Sequence, residues 1–310
     1  MTPDEQKREH TIGGLYAFAA YLLWGFFPAY FLLLHPSGPW EIVGARIVFS
    51  LVFCALLLWV LRGYKRVWAI LRNPRLAALM ALAGVLIYVN WQTYIIATLT
   101  GHVIEASLGY FINPIVTVLL GVFVLRERLR ATQWVAVGLA VAAVIVLVVA
   151  YGAFPWMALT LAASFGAYGL VKKKVGPRVD ALSGLAIESL WITPIAIVQL
   201  VVVGVTTGLT FGTAGVGHTL LLAASGVVTA IPLLLFAAGA RRAPLTLVGL
   251  LQFVAPIMIF IAGAWILGEP MPPERWIGFG IIWVALIVLS VDSLLFARRS
   301  RKAPVVAEVV

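Results

Sequence analysis

Three ionisable side chains, Arg46, Glu105 and Glu188, lie inside long apolar runs of this sequence. A charge in such surroundings is costly unless it is paired or faces water, so each marks either a structural pair or a pathway. Polar and aromatic residues recur in the same kind of run: Tyr21 and Trp24; Tyr88, Asn90, Trp91 and Tyr94; Ser107, Tyr110 and Asn113; then Tyr168 and Gln252. Aromatic walls with a few amides can hold a small amphipathic molecule, and Trp24, Trp91, Asn113, Tyr168 and Gln252 are the expected solute-binding set. Arg46, Glu105 and Glu188 are the expected gate or coupling set, with Arg46 and Glu105 pairing when the outer side is closed. Pro114 and Pro256 each free a backbone carbonyl one turn earlier and are expected hinges. Each has a plainer structural reading as well: interfacial aromatic, anchored charge or fixed bend.

The elements that must position these residues are helices in a bilayer. Of 310 residues, 63% are hydrophobic and 11% charged, outside the range of water-soluble domains. Apolar stretches of about 20 residues, enough to cross a hydrocarbon core, recur near 12–34, 41–61, 76–98, 102–125, 131–151, 155–172, 181–203, 217–238, 243–267 and 275–296. The first is too long for a signal-peptide core and is expected to be retained. The single cysteine, Cys54, permits no disulfide within one chain and no cysteine metal site.

The formal charge of +10 comes from short basic clusters between the spans, which argues for membrane topology and against a nucleic-acid partner. Apart from Arg46 and Arg275, every Lys and Arg falls at a terminus or in alternate connections. Basic loops stay on the cytoplasmic side. An even number of spans with both termini inside follows, and ten spans satisfy it.

One constant shift carries Pro114 onto Pro256, Gly121 onto Gly263, Glu127 onto Glu269, Trp134 onto Trp276, and Gly84 onto Gly226, without a gap. It also carries Arg46 onto Glu188. Coincident Pro, Gly, Glu and Trp identify a duplication, with units expected at 12–152 and 153–296 and cytoplasmic tails at 1–11 and 297–310. Five spans per unit is an odd number, so the second copy must enter the membrane from the opposite side. Charge agrees: Glu127 sits among Arg126, Arg128 and Arg130, whereas the loop around Glu269 has no basic residue between Gly268 and Pro273. Two inverted repeats flanking a midplane site are a hallmark of secondary transporters.

The segment from Tyr21 to Phe31 (YLLWGFFPAYF), the segment from Glu105 to Pro114 (EASLGYFINP) and Arg126-Glu127-Arg128 resemble the RarD group of the EamA family, within the drug/metabolite transporter superfamily. The resemblance runs over nearly the whole chain. It implies an all-α membrane fold of ten helices in two inverted five-helix repeats, with a central cavity lined chiefly by helices 1, 3, 4, 6, 8 and 9. It also implies export of a small organic metabolite or drug-like solute across the inner membrane.

No P-loop, zinc-binding His-Glu-x-x-His or nucleophile-elbow pattern occurs, so neither a cofactor nor a metal is expected. The sequence-level expectation is a multi-pass inner-membrane transporter whose partners are the bilayer, a small solute and, through the gate residues, protons. A passive channel or scaffold is the alternative, with a membrane enzyme behind it. The sequence does not specify the oligomeric state.

Overall fold

A computed structural model describes residues 3–126, 129–151, 154–176 and 178–302, and all regular elements among them are helices. In chain order these are α1 (Pro3–Gly25), α2 (Phe27–Leu32), α3 (Pro39–Val60), α4 (Tyr64–Leu71), α5 (Pro74–Leu99), α6 (Val103–Leu125) and α7 (Ala131–Tyr151). Then come α8 (Trp156–Val175), α9 (Ala181–Thr206), α10 (Val216–Ala240), α11 (Leu245–Leu251), α12 (Val254–Ile261), a π-turn (Ala262–Ile266) and α13 (Pro273–Lys302). Among the described residues, nine helices are long and apolar enough to cross a membrane. The expected span at 155–172 corresponds to α8, which is outside those nine because its last turn carries Lys172, Lys173 and Lys174. Its inner face is nonetheless fully buried at Ala158, Leu161 and Ala162.

Local chemistry sets the helix ends. Pro39 and Pro74 open α3 and α5, where a missing N–H costs nothing. Asn73 and Asp180 cap α5 and α9 by accepting from Leu76 N (3.2 Å) and Ser183 N (3.0 Å). Two helices break where proline removes a donor. Pro28 lies four residues after Trp24, and α1 stops at Gly25; Pro256 lies four residues after Gln252, and α11 gives way to α12 at Gln252 and Phe253. Pro114, the repeat mate of Pro256, sits inside α6, which runs on unbroken. The duplicated proline is therefore a break in one copy only.

Repeat mates pack against each other. In α7 and α13, Arg130 and Thr132 bond Asp292 at one end, and Leu147 fills the notch at Gly278 at the other. The two helices run antiparallel, as mates must when the copies are inverted. The matched glycines permit equivalent close approaches. A Cβ on Gly226 would fall 2.3 Å from the Phe49 carbonyl, bringing α10 onto α3, and one on Gly84 would fall 3.0 Å from the Glu188 carbonyl oxygen, bringing α5 onto α9. Side chains bury into two main clusters: one around α3, α5, α9 and α10, the other around α6, α7, α12 and α13.

Candidate functional site

Arg46 is 3% exposed, deep in the first cluster. Its Nε donates to Thr229 Oγ1 on α10 (2.8 Å), and its guanidinium carbon lies 4.2 Å from the Trp91 ring centroid, 5.3 Å from Phe31 and 5.4 Å from Phe27. Those rings come from α2 and α5: Phe27 and Phe31 are one turn apart on α2, so both can face the same cation. Cation–π contact offsets part of the cost of burying the charge. Nη1 is buried with no hydrogen-bond partner.

From this seat a row of aromatic rings crosses the bundle. Phe27 meets Phe31 (5.4 Å between centroids), Phe31 meets Tyr94 (6.1 Å), Tyr94 meets Tyr110 (5.7 Å), Tyr110 meets Phe165 (6.0 Å) and Phe165 meets Tyr168 (6.0 Å). The row draws on α2, α5, α6 and α8. Asn90 pins its middle by accepting from Tyr110 O–H (3.1 Å) and donating to the Leu161 carbonyl (3.1 Å). At the far end Tyr168 O–H donates to Glu188 Oε2 (3.1 Å), and Lys172 Nζ pairs with Glu188 Oε1 (2.7 Å). Glu188 is 1% exposed. The two repeat mates thus hold opposite charges at opposite ends of one aromatic row.

The expected solute-binding residues fall into two groups. Trp91 and Tyr168 belong to the Arg46 and Glu188 seats. Asn113 adjoins Gly166 beside the row, with Oδ1 buried and unpartnered. Trp24 lies off the row, edge to face with Tyr21 (5.3 Å) and tilted against Phe236 (5.7 Å), and Gln252 lies at the break between α11 and α12.

The expected Arg46–Glu105 pair is absent from this structure. Glu105 Oε1 accepts instead from the backbone N–H of Met157 (2.9 Å) and Ala158 (3.3 Å), at the start of α8. Carboxylates do the same elsewhere. Glu269 accepts from Val103 N (2.6 Å) and Ile104 N (2.9 Å) at the start of α6, and Glu41 from Thr210 N (2.8 Å) and Phe211 N (2.9 Å). Free N–H groups at a helix start attract anions, which explains the positions at α6 and α8. Glu127, the mate of Glu269, lies outside the described residues.

Lys172 and Thr229 are polar participants that the sequence reading passed over, as it did the rings of Phe27, Phe31 and Phe165. Lys172 reads as an orientation anchor, yet it stands one turn after Tyr168 on the same face, and that spacing was the available signal. Thr229 carries no signal beyond being a hydroxyl in an apolar helix.

Comparison with known proteins places the chain. The model of the EamA-like transporter family matches residues 11–149 and again 154–291. Protein RarD of Streptomyces exfoliatus is 49% identical over 295 residues, covering 95% of this chain and 93% of its own. A protein of Vibrio cholerae described as an uncharacterized transporter is 38% identical over 303 residues, covering 98% and 99%. A solved crystal structure superposes with a TM-score of 0.58 at 18% identity, covering 94% of this chain and 99% of its own, a likeness of fold. Matched twice by the family's model, the chain belongs to the EamA-like transporter family, as membrane proteins of the drug/metabolite transporter type.

Proposed function

We propose that this protein is a secondary transporter that exports a small organic metabolite or drug-like solute across the inner membrane by alternating access. Ten spans, with α8 as the tenth, and cytoplasmic termini complete the reading. The observation that carries it is the aromatic row, partly buried at Tyr110 and Phe165, that joins the repeat mates Arg46 and Glu188. A solute would move along this row, with Trp91, Asn113 and Tyr168 beside it and Trp24 and Gln252 near the helix breaks. Flexing at Pro256, and to a lesser degree at Pro114, would open one side and then the other. Proton coupling would fall to Glu188, whose partners Lys172 and Tyr168 are side chains able to re-pair; Glu105 is engaged by backbone.

The test begins with metabolite secretion by deletion and overexpressing strains to find a transported solute. Counterflow in proteoliposomes follows. A carrier is accelerated by its own solute on the opposite side; flux without such trans-stimulation would indicate a channel and defeat the proposal.

A further inference from the structure

Arg46 and Glu188 occupy equivalent positions in the two repeats, and one difference between their surroundings is a counter-ion. Glu188 has a counter-ion, Lys172 at 2.7 Å. The shift that carries Arg46 onto Glu188 carries Tyr30 onto Lys172, and Tyr30 is no counter-ion: its O–H donates to the Leu221 carbonyl (2.7 Å). Among the described residues, no carboxylate forms an ion pair with Arg46. A buried cation with an unmade hydrogen bond is expensive, and here Nη1 is both buried and unpartnered.

The Tyr94 ring is 6.1 Å from Phe31, which itself lies against the guanidinium, and continues the aromatic wall away from Arg46. An unmatched cationic donor therefore lies among the rings of Trp91, Phe27 and Phe31. A guanidinium edge matches the two oxygens of a carboxylate, and the rings match a planar or apolar body. One spare positive charge balances one negative charge; a dianion would leave net charge in an apolar enclosure.

We infer that the Arg46 seat binds the carboxylate of a monoanionic solute with an apolar body, an assignment of solute class that rests on the transport reading above. The acid supplies the counter-ion that this repeat lacks, and the aromatic row carries its apolar part.

Purified full-length protein in lipid nanodiscs would be titrated with acids and their primary amides, 3-phenylpropionate against 3-phenylpropionamide and hexanoate against hexanamide. Tryptophan fluorescence and thermal unfolding report binding. At least one acid should bind about tenfold or more tighter than its amide. The preference should vanish in Arg46→Gln and survive in part in Arg46→Lys. Arg46→Met, which removes the unpaired charge, should unfold without ligand at or above the wild-type temperature. Equal binding of acid and amide, no binding of either acid by the wild type, or an acid preference unchanged in Arg46→Gln would each overturn the inference. The acid and amide comparison on the wild type needs no variant to fold. Binding is read at equilibrium, so an acid preference without counterflow defeats the transport reading alone. Counterflow of a neutral solute undiminished by Arg46→Gln defeats this inference alone.

Discussion

A carboxylate among packed helices needs a cation or several N–H groups, and this protein uses both solutions. Glu188 takes Lys172 and Tyr168, whereas Glu41, Glu105 and Glu269 each take two backbone N–H groups from a distant segment. The consequences of mutation differ. Lys172→Met leaves Glu188 buried without its counter-ion and should cost about 3 kcal/mol. Combining it with Glu188→Leu should restore much of the loss, because both charges are then gone. A double-mutant cycle of unfolding in mixed micelles measures this coupling, and additive losses would show that the pair contributes nothing. Glu269→Ala should cost about 1–2 kcal/mol, the magnitude of a lost helix cap, read by the same unfolding assay. Sequence alone locates these acids without indicating their partners. A side chain bonded to another helix's backbone leaves no matching residue type to find, which is why Glu105 reads as a gate and Glu269 as a motif position.

At the scale of elements, the prolines are legible and their effects are not. Pro256 breaks the helix at Gln252 and Phe253, while its mate Pro114 leaves α6 continuous. The difference is one of packing. At Gly109, just before Pro114, α6 presses so closely on α8 that a Cβ would fall 2.7 Å from the Ala158 carbonyl oxygen. Pro256→Ala should heal the break, slowing amide hydrogen exchange across 252–257 and lowering counterflow turnover several-fold, with smaller changes for Pro114→Ala. Unchanged exchange would show that packing, not the missing donor, holds the break open. Helix α4 is unforeseen for a simple reason. Its eight residues extend about 12 Å, too short to register as a span, and a buried Ile70 among exposed Tyr64, Lys65, Arg66 and Trp68 gives one apolar edge.

For the whole molecule, the duplication and most span positions are plain in the sequence, because apolar length and a gapless shift are features of the chain itself. Which helices come together is not, since that depends on close approaches such as Gly226 on Phe49. Topology has a direct test. In a Cys54→Ser background, Thr213→Cys and Arg178→Cys are both at exposed positions, and the basic-loop rule puts them on opposite sides. An impermeant thiol reagent on intact cells should label the first and spare the second; equal labelling would refute the orientation.

The antiparallel pair of α7 and α13 is secured at both ends and packed in the cluster it shares with α6 and α12, where Phe279 and Trp283 of α13 meet Phe111 and Phe260 edge to face or tilted. Arg46, Glu188 and the rings between them all lie outside that pair. If a solute passes along the row as proposed, this pair is expected to act as a fixed frame. Spin labels placed one on each helix would then act as an internal ruler: their separation should stay constant through turnover, so that any distance measured from either of them to α2 or α12 reads true displacement of the moving parts.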